Sequence, residues 1–301
     1  SDSSFFIVTG TIDKSNQKTT QEIYMTVPDK YVTLSNGIMK SSTKVSGGLR
    51  TDHWVMDKKH APYLFFMGVG EYAIVKDKWR NIEVDYYVEK EYEPFAKQIF
   101  GNTPEMIEFF SKRLNYDYPW SKYAQITGRD FVSGAMENTT ATLHQESAQQ
   151  KPGDLIDENR WEDTIAHELF HHWFGDLVTA ESWSNLTVNE SFANYSQYLW
   201  NEHKYGKDIA DYGLMKEIKG YMMDPSNISK DLVRFNYHSR EDMFDGVSYN
   251  KGGAILHMLR NYVGDDAFFA GLTDYLKTNE FGTGEAHQLR LSLEKISGKD
   301  L

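Results

Sequence analysis

The chain has 301 residues, with 40% hydrophobic and 25% charged, which suits one or two globular domains and excludes disorder and fibrous repeats. Lys and Arg number 32 against 44 Asp and Glu, a net charge of −12, which makes nucleic-acid phosphate a poor partner. There is no cysteine, so disulfides, thiolate metal sites and cysteine nucleophiles are excluded. The longest apolar stretch, Tyr63 to Val69, is less than half a membrane span, and no transmembrane segment is predicted. The chain opens at Ser1 without an initiator Met or a hydrophobic signal region, so it reads as processed or cut from a longer one. Compartment, cytoplasmic or periplasmic, and oligomeric state stay open.

The first ninety residues read as strands. Ile23 to Val27, Tyr31 to Leu34, His53 to Met56, Tyr63 to Gly68 and Glu71 to Val75 are short β-branched or aromatic runs. Pro28-Asp29, Ser35-Asn36-Gly37 and Gly47-Gly48 punctuate them with turn chemistry. Near Tyr92 the texture turns helical, and Asn102-Thr103-Pro104-Glu105 is a helix start followed by Ile107, Phe110 and Leu114 at helical spacing. Residues 122 to 145 return to strand texture. From Asp157 nearly everything reads as helix: Trp161 to Phe174 with a stop at Gly175, Leu186 to Tyr205, and then about 208–222, 249–262, 264–277 and 286–297. Strands followed by helices argue an α+β chain or two domains.

His167-Glu168-Leu169-Phe170-His171 lies within one of these helices. Residues four apart share a helix face, so the two imidazoles can converge on one ion. Glu168 sits about 100° round from His167, poorly placed as a ligand but able to hold a water and take its proton. A catalytic zinc wants a third protein ligand and one open position. Glu190, eighteen residues beyond His171 near the start of the next helix, can supply that ligand. The bland alternative is a pair of packing histidines on an ordinary amphipathic helix. His172 lies about 100° off His171 and suits a packing role, while Asp163, Asp176 and Asn189 could each orient a ligand histidine.

With Gly134-Ala135-Met136-Glu137-Asn138 about thirty residues upstream, the pattern closely resembles the M1 family of zinc aminopeptidases. Tyr118-Pro119-Trp120, His172 to Thr179, Asn189-Glu190-Ser191-Phe192-Ala193 and Tyr249-Asn250-Lys251-Gly252-Gly253 add to the likeness, which covers roughly residues 60 to 297. The resemblance implies residues 1–72 as the end of an N-terminal antiparallel β-domain. It implies 73–301 as a thermolysin-like catalytic domain of mixed sheet plus helices, with the family's C-terminal helical domain absent. It implies one Zn2+ per chain on His167, His171 and Glu190, Glu168 as general base and Tyr249 as donor to the oxyanion. Glu137 would bind the free α-amino group of a peptide, within a substrate-binding segment of Gly134, Ala135, Met136, Glu137 and Asn138 that can pair with the substrate backbone.

Other readings remain at this stage. A thermolysin-like endopeptidase shares the ligands but has no need of Glu137. Epoxide hydrolysis is performed by some relatives on the same scaffold, a catalytically weak M1-like scaffold would bind zinc but turn over poorly, and a non-enzymatic binding module would have no need of metal ligands. Tyr237 competes with Tyr249 but lacks its motif, and Lys251 reads as an exposed helix lysine. The chain stops at Leu301 just after a helix, so it is expected to be a catalytic core excised from a larger enzyme.

Overall fold

In the computed structural model, which describes residues 14–301, β1 (Thr19–Pro28), β2 (Val32–Ser35), β3 (Ile38–Val45), β4 (Leu49–His60) and β5 (Met67–Gly70) pair only antiparallel. One sheet has the order β1-β4-β3, and β2 pairs with β5 in a second. The start of the expected β-domain segment, residues 1–13, lies outside the described residues. In β4 the buried positions Asp52, Trp54 and Met56 alternate, as period-two pleating requires of a half-buried strand. The expected strand from Tyr63 to Gly68 is displaced: Pro62, which has no N–H to offer a ladder, opens a 3₁₀ turn through Leu64, and the strand begins at Met67. β3 escaped the sequence reading because every one of its residues is exposed. An edge strand wet on both faces carries no apolar alternation.

The second sheet system is mixed. β6 (Tyr72–Trp79), β7 (Ile82–Glu89), β8 (Lys122–Gly128), β9 (Ala135–Met136) and β10 (Ala141–Gln145) take the order β6-β7-β8-β10-β9. β7, β8 and β10 run parallel, while β6 and β9 are antiparallel edges. Every residue of β8 is buried, as expected of a strand covered on both faces.

The chain divides by compactness into two units: one up to Glu108 together with Trp120–Glu168, the other Phe109–Pro119 with Leu169–Leu301. The first holds all ten strands above and α1 (Ala96–Phe100). The divisions fall inside α2 (Thr103–Arg113) and α3 (Glu162–Phe170). The second unit is helical, with β11 (Thr179–Ala180), α4 (Thr187–Lys204), α5 (Lys207–Met223), α6 (Gly252–Val263), α7 (Asp265–Asn279), β12 (Thr283–Gly284) and α8 (Ala286–Ser297). Its core is aromatic: Phe110 meets Phe170 edge-on, and Phe174 stacks on both Phe170 and Phe192, with ring centroids 4.0 Å apart for the Phe192 pair. No described helix is long and apolar enough to cross a membrane.

One helix is shorter than its sequence suggests. α3 ends at Phe170, where the expected helix runs on to Phe174. The N–H groups of His172 and Trp173 bond three residues back, to Leu169 and Phe170, so the last turn tightens to 3₁₀ form. Gly175, at φ +143°, then turns the chain away.

Candidate metal and catalytic site

α3 delivers His167 and Glu168 from its last turn and His171 from the tightened turn that follows. The helix is continuous across the division between the units, so His167 and His171 remain one turn apart on one segment of chain. His171 is fixed in detail. Its Nδ1 lies 3.0 Å from the carbonyl oxygen of Phe174, which can only accept, so Nδ1 is the donor and Nε2 is the nitrogen left to face an ion. That Nε2 lies 3.4 Å from a carboxylate oxygen of Glu190 on α4. The turn is possible because residue 175 is glycine: a Cβ there would sit 3.0 Å from Nδ1 of His171.

His167, His171 and Glu190 are all buried, and one ligand atom from each lies within 4.8 Å of the others. Glu137 and Glu168, both in the first unit, are buried as well. Two imidazoles and a carboxylate are the donors that suit zinc, and a divalent cation would offset the clustered acidic charge. The residues therefore fit the metal that the sequence implies.

Glu137 follows β9, the edge strand of the mixed sheet, which pairs on one side with β10 through Met136–Leu143 and Ala135–His144. The loop after it is clamped from below. Asn138, 1% exposed, donates its side-chain amide to the carbonyls of Leu64 and Phe65. Asn36 donates to the Thr139 carbonyl at 2.7 Å. Lys122 donates to Ser35 O, Thr140 O and Thr140 Oγ1 at 2.9 to 3.0 Å. Burial pushes the Lys122 ammonium down to about 7 against the pull of Asp85 and Glu83. Sequence reasoning missed this clamp: Asn36 reads only as turn chemistry, and Lys122, two residues after Tyr118-Pro119-Trp120, carries no signal of its tertiary partners.

Among the orienting candidates, Asp176 Oδ2 lies 3.7 Å from His172 Nε2, both fully buried, and the His172 ring stacks on Tyr118. His172 has the packing role expected of it. Asn189 Oδ1 accepts from the Ala180 N–H and ties α4 to β11. The group that orients His171 is a backbone carbonyl, for which no sequence signal exists.

Tyr249 lies in a π-helical turn, Val247–Lys251, just before α6. Ser191, next to Glu190, donates from Oγ to the carbonyl of Ser248 at 2.6 Å, joining this turn to α4. Gly252 permits the approach, because a Cβ there would lie 1.8 Å from Ser191 Oγ. At Gly253 a Cβ would lie 3.1 Å from the Asn194 amide nitrogen. Gly252 is therefore a steric requirement of the α4 contact, and Gly253 lies close against the same helix. Lys251 is half-buried, with Nζ donating to the Lys230 carbonyl.

The profile of the Peptidase family M1 domain matches residues 99–301. The chain is 31% identical over 80% of its length to tricorn protease-interacting factor F2 of Thermoplasma acidophilum, of which it covers 31%. It is 34% identical over 68% of its length to aminopeptidase N of Streptomyces lividans, covering 25% of that protein. Against endoplasmic reticulum aminopeptidase 1 of Homo sapiens the identity is 30% over 90% of this chain and 30% of the relative. The chain thus spans about a third or less of the length of these curated relatives. By its matched domain, the chain belongs to peptidase family M1.

Proposed function

We propose that this chain is the catalytic part of a zinc aminopeptidase that removes the N-terminal residue from peptides with a free amine. Residues 1–72 are read as the end of a β-domain and 73–301 as a thermolysin-like catalytic domain. The observation that carries the activity is the buried donor set of His167, His171 and Glu190, with Glu168 next to His167 on the same helix. The names of the relatives support the same reaction class.

His167, His171 and Glu190 would hold one Zn2+ per chain. Bound there, the ion would supply Lewis acidity toward the scissile carbonyl and the attacking water. Glu168 takes the proton of that water and returns it to the leaving amine. Glu137 pairs with the α-ammonium of the substrate, so the site measures one residue from the chain end. Gly134, Ala135, Met136 and Asn138 form with it the segment along which an extended substrate adds as a strand at the β9 edge. Tyr249 donates its phenol hydrogen to the developing oxyanion.

The test combines zinc content with hydrolysis of a free-amine peptide and its N-acetylated twin, for the wild type and Glu137→Ala. One zinc per chain, cleavage of the free amine alone and loss of activity in the variant are expected. Equal cleavage of both peptides would establish an endopeptidase instead, and a chain that binds no zinc would overturn the reading.

A further inference from the structure

Tyr249 lies in a turn whose placement against α4 rests on several side chains, one of which has no other evident role. On the near side, Asp245 Oδ1 accepts from the N–H groups of Val247 and Ser248, and its Oδ2 takes Lys230 Nζ at 2.8 Å and Arg234 Nη2 at 2.7 Å. On the far side, Asn250, the residue after Tyr249, donates its side-chain amide to Glu217 Oε2 on α5. The same oxygen accepts from Asn194 Nδ2 at 3.4 Å. Asn194 is one turn beyond Glu190 on α4, so both lie on one face of that helix. A carboxylate only accepts, which fixes the orientation of both amides.

A single carboxylate oxygen therefore joins the neighbour of Tyr249 to the helix that carries Glu190. Elsewhere on α5, Ala210 is buried and Asp211 Oδ1 accepts from Tyr198 of α4 at 2.9 Å, while Ile209, Tyr212, Met215, Met222 and Met223 face outward. A π turn is wider and less self-supporting than an α turn, so its side chains need external anchors to hold one position.

We propose that Glu217 is a positioning residue, which through Asn250 and Asn194 sets the register of Tyr249 against the helix bearing Glu190. The proposal rests on the aminopeptidase reading, in which Tyr249 meets the oxyanion. Glu217 touches neither substrate nor metal ligand; it acts by holding the phenol where charge develops. A misplacement of about 1 Å costs up to about 100-fold in rate, so Glu217→Ala is expected to lower kcat about 10- to 100-fold with KM little changed. Glu217→Gln keeps an accepting oxygen and is expected to retain most of the rate.

The experiment measures kcat, KM and zinc content for Glu217→Ala and Glu217→Gln, in the wild-type and Tyr249→Phe backgrounds. Loss in the wild-type background that disappears in Tyr249→Phe, with zinc unchanged, supports positioning. Wild-type kcat in Glu217→Ala, or the same loss in both backgrounds, overturns it. If Glu217→Ala loses zinc or unfolds, Asn250→Ala is read in its place. In parallel, 3-fluorotyrosine at position 249 gives a fluorine resonance that does not depend on turnover. Glu217→Ala should shift or broaden this line, and Glu217→Gln should leave it; an unmoved line in both overturns the proposal. A zinc-loaded wild type that cleaves no peptide, together with a moved line, would sink the aminopeptidase reading and leave the positioning role standing.

Discussion

Replacing Gly252 by alanine adds one methyl group where α6 begins against α4. The added carbon would lie 1.8 Å from Ser191 Oγ and 2.5 Å from Ser191 Cβ, while Leu232 Cδ1, at 3.4 Å, is an ordinary contact. Rotating the Ser191 hydroxyl away relieves only the shorter clash. It also breaks the bonds of Oγ to Ser248 O and to Thr187 Oγ1, each 2.6 Å long. The Cβ contact remains, so the helices must separate. Overpacking of this kind costs about 1–3 kcal/mol, and two lost buried hydrogen bonds add about 1 kcal/mol each, a total of roughly 3–5 kcal/mol. For a chain of this size that lowers Tm by roughly 6–10 °C, at about 2 °C per kcal/mol. Calorimetry and urea titration measure it directly. Backbone geometry is not the cause, because Gly252 has φ −61°, which alanine adopts freely. In a Ser191→Gly background the obstructing atoms are gone, and the same substitution is expected to cost less than about 1 kcal/mol. A Gly252→Ala chain within about 0.5 kcal/mol of the wild type, or an equal cost in both backgrounds, would refute the steric argument.

Gly213 and Gly220 in α5 serve as the contrast: a Cβ at either meets nothing within 4 Å, so alanine there should stabilise by about 0.5–1 kcal/mol in the same melts. His60 and His144 are buried, and burial pushes both down to about 3. The unfolded chain therefore binds more protons than the folded one between about 3 and about 6.5, and stability should fall as pH drops through that window. A His144→Gln/His60→Gln chain should show a flatter acid limb in urea midpoints read from pH 7 to 4.5. Lys122 acts with the same sign in a more alkaline window: with a folded value of about 7 against an unfolded one of about 10.5, stability should rise with pH between the two. Lys122→Met should lose that rise and about 2–3 kcal/mol at neutral pH, since the carbonyls of Ser35 and Thr140 lose their donor. Chelation should lower the Tm of the zinc-loaded wild type, by about 2.7 kcal/mol of linked stability at a hundredfold excess of metal over Kd, and leave His171→Ala unmoved.

The contrast between these positions explains what the sequence made legible. The helix-borne pattern His167-Glu168-x-x-His171 could be read because helical periodicity converts spacing into direction, and α4 and α8 matched their expected spans for the same reason. β3 could not be read, since its signal would have been burial on one face and it has none. The shortened α3 could not be read either: its end depends on a 3₁₀ turn and on Gly175, whose need to avoid His171 is a tertiary contact. The proton on His171 Nδ1 is set by a carbonyl that every residue possesses.

Motif residues carry a further lesson about roles. Tyr249-x-Lys251-Gly252-Gly253 reads for its tyrosine, yet its Gly252 is required by Ser191 on the helix of Glu190. Ser191 in turn stands inside the motif around Glu190 and bonds the carbonyl beside Tyr249. The two motifs are thus halves of one contact, and a change in either is felt by the other. A larger residue at 191 should therefore be tolerated only where the Tyr249 turn shifts with it. That coupling follows from packing alone, whatever the substrate, because a close helix contact transmits displacement instead of absorbing it.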